Sequence, residues 1–274
     1  MKELEWIKQF EEEVRCGKEM PEDFELYCWE SYSKLELKAE LKELKERAQN
    51  EEQAFVAAAC LGDLYFLGCK EHGISINYTK AIFWFRQAVQ HSNAYRGEVL
   101  YRLARCYKYG RGANKDTVKA FKMLKALAAI DCSKMHLPEY DEFNVTVHIG
   151  LADCYYRGIG TEKNVEKAIA IWEKYANEND ETACRNLGRE YFSGKYLKGD
   201  YEKAFYWTQM AVALNDTVAI NNLGWCYENG YGTEKDIEKA VECYKEAASC
   251  GNRVAKNNLK RLKKTGIITG GEND

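Results

Sequence analysis

One short pattern recurs five times along this chain of 274 residues and constrains the fold more than any other feature. Each copy has a Leu followed by Gly or Ala, then a Tyr four residues after the Leu and a Gly three residues after the Tyr. The motif leucines are Leu61, Leu103, Leu151, Leu187 and Leu223. A Lys-Ala pair follows each copy, beginning at Lys80, Lys119, Lys167, Lys203 and Lys239. Such self-similarity is the signature of a repeat architecture, in which stacked units bury one continuous core.

Each copy predicts two helices joined by a turn. Ala219, Leu223 and Tyr227 recur every four residues and therefore lie on one stripe of a helix. The Gly after the motif Tyr is typical of the left-handed residue that ends a helix. The small residue beside the Leu is expected to let a second helix approach closely, because a mid-helix Gly is otherwise unfavourable. An Asn or Asp stands three residues before each Lys-Ala pair and predicts the N-cap of the second helix. These caps are Asn77, Asp116, Asn164, Asp200 and Asp236.

The spacing of the copies changes along the chain. Leu151, Leu187 and Leu223 follow one another at intervals of 36 residues, whereas the two preceding intervals are 42 and 48 residues. The longest insertion lies around Ala129 to Glu142. Insertions in repeat proteins fall on one face of the array, so this segment is expected to form either a surface loop or a functional insert.

The Leu-Gly/Tyr/Gly set, the Gly-x-Gly turns and the capped Lys-Ala helix together resemble the Sel1-like repeat family, which is related to tetratricopeptide repeats. The clearest copy runs from Ala219 to Ala240, and the resemblance covers residues 54–262. It implies an all-α fold, a right-handed α-solenoid of antiparallel helix-turn-helix repeats whose first helices line a concave face. Members of this family mostly act as adaptors or scaffolds that bind other proteins, so the resemblance implies that function here.

The repeats also predict how the chain is organised. Residues 54–250 are expected to form five repeats and residues 251–264 a C-terminal capping helix. Residues 1–53 predict a helical N-terminal cap or a degenerate repeat, and residues 265–274 a flexible tail. No linker-like change in composition divides the chain, so one continuous array is expected.

The first helices supply the candidate binding residues. Positions two before and two after the motif Leu are four residues apart and share one helix face. If the first helices line a groove, as the resemblance implies, side chains near these positions face a partner. The candidates are Tyr101, Arg105, Arg185, Asn186, Arg189, Asn221, Asn222 and Trp225. Asn bonds a peptide backbone, Arg clamps a carboxylate and Trp anchors an apolar residue. An equal alternative is that the asparagines bond between neighbouring repeats.

Charge and hydropathy narrow the class of partner. The net charge of −3 argues against broad nucleic-acid binding, and no stretch approaches the roughly 20 apolar residues of a membrane helix. The charged N-terminus shows no signal peptide, so a cytoplasmic location is expected. Residues 1–25 hold nine acidic and four basic side chains, whereas residues 251–264 hold six basic and none acidic. This asymmetry leaves open an acidic partner or self-assembly into a homo-oligomer.

The sequence contains no motif for catalysis, a metal or a cofactor, so none of these is predicted. The 11 cysteines are interpreted as mostly buried thiols. One secreted subfamily of the resembled family is stapled by disulfides eight residues apart, and penicillin-binding or β-lactamase activity is sometimes attributed to it. Here Ala176 stands eight residues before Cys184, so the staple is absent. The preferred hypothesis is therefore a non-enzymatic adaptor that binds an unidentified protein or peptide, with hydrolase or penicillin-binding activity as the alternative.

Overall fold

The computed structural model describes residues 54–69, 74–90, 96–130 and 138–266, together with residues 5, 6, 8, 42 and 45–48. Within these ranges the regular structure consists of helices. They are α1 (Ala54–Leu67), α2 (Tyr78–Ala88), α3 (Arg96–Tyr109), α4 (Thr117–Leu127), α5 (Pro138–Arg157), α6 (Val165–Asn177), α7 (Glu181–Ser193), α8 (Tyr201–Ala213), α9 (Thr217–Asn229), α10 (Ile237–Ser249) and α11 (Arg253–Lys264). The predicted all-α solenoid of helix pairs is confirmed. The expected N-terminal cap and C-terminal tail lie almost wholly outside the described residues.

The chain divides into two compact units, Met1–Asn164 and Val165–Asp274. In the first unit α1 packs on α2 and α3 packs on α4. In the second unit α7 packs on α8, α9 packs on α10, and α11 packs on α10. The motif helices are thus the first helices of each pair, and the capped Lys-Ala helices are the second.

Side-chain caps start the second helices where the sequence predicts them. In α2, α4, α8 and α10 the cap oxygen accepts the backbone N–H of the Lys three residues later, which satisfies one of the unpaired donors of the first turn. The bonds are Lys80 to Asn77 at 3.0 Å, Lys119 to Asp116 at 2.9 Å, Lys203 to Asp200 at 3.0 Å and Lys239 to Asp236 at 3.0 Å. Helix α6 begins directly after Asn164.

The spacing from cap to Lys, which is the same in every repeat, also places a cation over the motif Tyr. In four repeats the ammonium group of this Lys lies within reach of the ring face of the motif Tyr. The distances to the ring centroid are 5.0 Å for Lys80 over Tyr65, 4.0 Å for Lys119 over Tyr107, 5.3 Å for Lys203 over Tyr191 and 5.5 Å for Lys239 over Tyr227. The recurrence of Lys before Ala is therefore explained by packing within the repeat.

Two kinds of glycine hold the helices close together. Gly224 in α9 faces Tyr244 of α10, where an added Cβ would lie 2.9 Å from the ring. Gly232 in the following turn has φ of +68°, and an added Cβ would lie 2.1 Å from the carbonyl oxygen of Tyr201. Tyr201 starts the second helix of the preceding repeat, so the Gly-x-Gly turn packs against its neighbour's backbone.

The insertion around Ala129 to Glu142 is helical at its C-terminal end. Helix α5 begins at Pro138 and continues unbroken into the third motif helix. Proline suits the first helical position because its ring fixes φ and its missing N–H would be unpaired there in any case. Residues 131–137 lie outside the described residues.

Candidate functional site

Neighbouring motif helices meet through a side-chain pair at fixed positions. At three junctions, the residue five after the motif Leu, called position +5, contacts the residue two after the Leu of the next repeat, called position +2. The three contacting pairs are Lys108–Asp153, with Nζ and Oδ2 2.7 Å apart, Phe192–Trp225, with ring centroids 4.2 Å apart, and Glu228–Arg261, with two hydrogen bonds of 2.7 Å. The same two positions therefore hold a salt bridge at two junctions, with the charges reversed between them, and an aromatic pair at the third.

Arg185 is one candidate that the structure uses within the chain. Its guanidinium donates to the carboxylate of Asp216 in the next repeat. Asp216 also caps α9, because its other oxygen accepts the backbone N–H groups of Val218 and Ala219, each at 2.9 Å. Arg185 therefore fastens two repeats through a buried cap and already has a carboxylate partner.

The asparagines divide between two roles. Asn221 is only 9% exposed and accepts a hydrogen bond of 3.1 Å from Asn258 in the next motif helix. This contact matches the alternative interpretation, in which the asparagines bond between neighbouring repeats. Asn222, beside Asn221, and Asn186 are half-buried and reach the surface.

The two candidates of the first unit lie together. The guanidinium of Arg105 lies 5.9 Å from the ring centroid of Tyr101, one turn away on α3. Both side chains are half-buried. Burial raises the pKa of Tyr101 above its usual value, so this phenol is neutral and serves as a hydrogen-bonding and apolar surface.

Trp225 belongs to a group of four rings in the second unit, here called the aromatic cluster: Phe192, Tyr201, Trp225 and Tyr231. Phe192 lies at its centre, 4.2 Å from Trp225, 5.1 Å from Tyr231 and 5.6 Å from Tyr201 between ring centroids. Tyr201 and Tyr231 are 4.4 Å apart. Trp225 remains 39% exposed and Tyr201 48% exposed, so the cluster presents aromatic surface to solvent.

Polar candidates border the aromatic cluster. Arg189 lies three residues before Phe192 on α7 and is exposed. Asn222 lies three residues before Trp225 on α9. Residues three apart on a helix are surface neighbours, so a guanidinium and an amide flank the rings. This arrangement combines an apolar anchor with groups that recognise a carboxylate and a peptide bond.

The sequence interpretation missed three members of the aromatic cluster, Phe192, Tyr201 and Tyr231. The sequence does distinguish Tyr231, because it is an aromatic residue in the middle of a Gly-x-Gly turn, where two other repeats have Arg111 and Ile159. The contact between Phe192 and Trp225 depends on which faces of successive helices meet, which the sequence of one repeat does not show.

The buried acid near the C-terminal end of the second unit is fully bonded. Arg261 donates to both carboxylate oxygens of Glu228, and the hydroxyl of Tyr244 donates to Oε2 at 2.8 Å. The hydrogen bonds from Arg261 hold the pKa of Glu228 below its usual value. A carboxylate held ionised by three donors is suited to fastening helices rather than to transferring protons.

The thiols of the motif helices are buried. Burial raises the pKa of Cys106, Cys184 and Cys226 to about 11, so each is a neutral thiol at physiological pH. Cys184 Sγ lies 3.7 Å from the carbonyl oxygen of Ala176, so the residues eight apart are indeed neighbours. Across the described residues, no three His, Cys, Asp or Glu side chains gather to hold a metal ion, and no helix is long and apolar enough to cross a membrane.

Comparison with known proteins agrees with this geometry. The model of the Sel1 repeat matches residues 58–93, 97–130, 148–180, 182–216 and 217–252. A Sel1 repeat protein from Oxalobacter formigenes is 20% identical, with a TM-score of 0.66 over 95% of this chain and 91% of that one. The protein c5321, a protective antigen of uropathogenic Escherichia coli with an SLR fold, is 23% identical, with a TM-score of 0.59 over 82% of this chain.

This chain spans 44% of the length of c5321, and both likenesses concern the fold. A search of curated proteins finds no match. The five repeat matches cover more than half of the chain, at the same copies that the Leu, Tyr and Gly spacing defines. The chain therefore belongs to the Sel1 repeat family.

Proposed function

We propose that this chain is a non-enzymatic, cytoplasmic scaffold that holds a peptide or protein segment against the aromatic cluster and the adjoining Arg189 and Asn222. The family resemblance implies that this surface lies on the concave face. One observation carries the proposal. At positions +5 and +2, where Lys108–Asp153 and Glu228–Arg261 form ion pairs, α7 and α9 instead hold Phe192 and Trp225, and Trp225 remains substantially exposed.

Exposed aromatic rings gathered on rigid helices favour binding. Tyr and Trp supply large contact area with few rotatable bonds, and they are enriched among residues that dominate binding energy. The rings of the aromatic cluster already support one another, because Phe192 touches the other three. Little side-chain freedom is therefore lost when a ligand covers them, which lowers the cost of association.

The same surface defines the chemistry of the bound segment. We expect an aromatic, aliphatic or proline side chain to lie on Trp225 and Tyr201. Arg189 is placed to receive a carboxylate, and the amide of Asn222 to bond the segment's backbone. Arg185 and Asn221 keep their inter-repeat bonds, which hold together the repeats that carry this surface. Tyr101 and Arg105 form a candidate contact area in the first unit, and Asn186 a further polar candidate in the second.

The experiment is a selection from a random peptide library, followed by affinity measurements on the selected sequence. Trp225→Ala should weaken binding about 30-fold, because central aromatic anchors contribute about 2 kcal/mol or more. Arg189→Ala should weaken the binding of acidic sequences only. Tyr206→Ala is the matched control, because Tyr206 is also an exposed aromatic residue of the second unit and lies outside the aromatic cluster.

Two results contradict the proposal. One is a selection that enriches no sequence above background. The other is a selected peptide whose affinity falls equally in the Trp225 and Tyr206 variants, which would place the contact away from the aromatic cluster. Unfolding curves of all variants confirm that the comparison is made between folded proteins.

A further inference from the structure

Helix α11 differs from every other described helix in its charge. It packs on the second unit through a narrow stripe in which Ala255 and Leu262 are fully buried. Its exposed surface carries Arg253, Lys256, Lys260, Lys263 and Lys264. These five residues are called the basic face. The sixth cation of the helix, Arg261, is bonded to Glu228 and belongs to the packing side.

The basic face is not neutralised from within the described part of the chain. None of its five cations makes an ion pair there, whereas Lys203 and Lys239 of the second helices pair with their own cap carboxylates. Lys260 is four residues from both Lys256 and Lys264, so its closest surface neighbours on the helix are like charges. Like charges at this spacing destabilise a helix. An acidic ligand would remove that repulsion.

The complementary charge is present in the same sequence. Residues 1–25 hold nine acidic and four basic side chains, a net charge of −5, including the run from Glu11 to Glu13. Residues 251–264 carry a net charge of +6. Two segments of nearly equal and opposite charge on one chain provide, in a second copy, a ligand that is always available at the protein's own concentration.

We propose that the basic face of α11 binds residues 1–25 of a second copy of this chain. The two surfaces of such a contact are different, so the interface is heterologous. It builds a ring if the rotation between copies closes and an open chain if it does not. This inference rests on the charge of α11 and is independent of the aromatic cluster.

The test is the oligomeric state by sedimentation velocity across a range of protein concentrations and two salt conditions. At about 0.01 M salt, where charges are screened over about 30 Å, the wild type should self-associate. At about 1 M salt, where screening acts over about 3 Å, it should dissociate. A wild type that is monomeric in both conditions overturns the proposal, even if it binds a poly-glutamate peptide, because that result assigns the basic face to another acidic partner.

Charge reversal locates the contact. Lys256→Glu/Lys260→Glu/Lys264→Glu should abolish self-association at low salt. Lys122→Glu/Lys125→Glu/Lys245→Glu is the matched control, because it makes the same change in net charge at three exposed lysines on α4 and α10. If the control dissociates as completely as the test variant, total charge rather than the basic face governs assembly, and the proposal fails.

A mixing experiment identifies the occupant. Glu11→Lys/Glu12→Lys/Glu13→Lys makes the acidic segment basic, and this variant alone should also be monomeric. Mixing it with the α11 variant brings its own unaltered basic face together with the unaltered residues 1–25 of that variant, and should restore association between the two. Restored association also shows that both variants are folded. Two variants that stay monomeric when mixed would exclude residues 1–25 of a second copy as the ligand.

Discussion

The backbone contact at Gly232 gives the sharpest test of how neighbouring repeats are held. We predict that Gly232→Ala destabilises the second unit far more than a Gly→Ala change at an open position with the same kind of backbone conformation. Gly232 has φ of +68°, and a Cβ built there would lie 2.1 Å from the carbonyl oxygen of Tyr201 and 2.7 Å from the Cβ of Phe205. Neither obstacle is the far end of a flexible side chain.

The matched control is Gly251→Ala. Gly251 has φ of +85° and nothing within 4 Å of an added Cβ, so it reports conformational strain alone. Left-handed strain costs about 1–2 kcal/mol, offset by about 0.4–1 kcal/mol from the less flexible unfolded chain, which leaves about 1 kcal/mol. Gly232→Ala carries the same strain and must also displace main chain between two repeats. Overpacking of this kind adds about 1–3 kcal/mol, for a total of about 2–4 kcal/mol.

The assay is urea unfolding followed by far-UV circular dichroism on the two variants and the wild type. Because stability in a repeat array depends on contacts between neighbours, Gly232→Ala should also lower the steepness of the transition. Equal losses of unfolding free energy in the two variants would refute this reasoning. The glycine would then be explained by its φ alone, and the turn would not be a contact between repeats.

Three further predictions concern titration and cross-linking. Burial raises the pKa of the Asp63 carboxyl from 3.8 to about 6. The folded state therefore holds this proton more tightly than the unfolded state, so the group stabilises the fold at low pH and this stabilisation is lost as the pH rises through about 6. A pKa shift of one unit changes the free energy of unfolding by about 1.4 kcal/mol, so the wild type should lose about 3 kcal/mol through this group between pH about 4 and about 6. Asp63→Asn should not show this loss when unfolding in urea is measured at both pH values. Arg261→Met should cost about 2 kcal/mol above pH about 5, with the difference shrinking in acid, because the lowered pKa of Glu228 stabilises the fold only while that group is ionised. Ala176→Cys should form a disulfide with Cys184 that raises stability by about 2.5 kcal/mol, as expected for a loop of about eight residues, and the gain should vanish on reduction.

Local features of the fold could be predicted from the sequence, and contacts between repeats could not. The cap at Asp236 and the left-handed Gly230 depend on residues within a few positions of each other, so their spacing is sufficient. The roles of Arg185 and Asn221 depend on which faces of successive helices meet. From their position two residues before the motif Leu, the sequence predicts that Arg185 binds a partner and leaves Asn221 open between a partner and a neighbouring repeat, whereas the structure shows each bonded to the next repeat.

The pairs at positions +5 and +2 explain why the repeats are not interchangeable. Lys108 meets Asp153, whereas Glu228 meets Arg261 with the charges reversed. A neighbour taken from the wrong repeat would bring like charges together, as Lys108 against an Arg at +2 or Glu228 against an Asp at +2. Such mismatches are costly in a half-buried contact, so the pairs favour one order of repeats over its alternatives.

The aromatic pair fits this scheme and also accounts for the position of the proposed site. A ligand that displaced either member of an ion pair would leave a half-buried charge without its partner, at a cost that opposes binding. Phe192 and Trp225 carry no charge, so a ligand can cover Trp225 while the two rings remain in contact. An aromatic pair can therefore serve two neighbouring repeats and a ligand at once. We therefore expect a ligand to bind at α7 and α9 rather than at the salt-bridged pairs formed by Lys108 and Glu228.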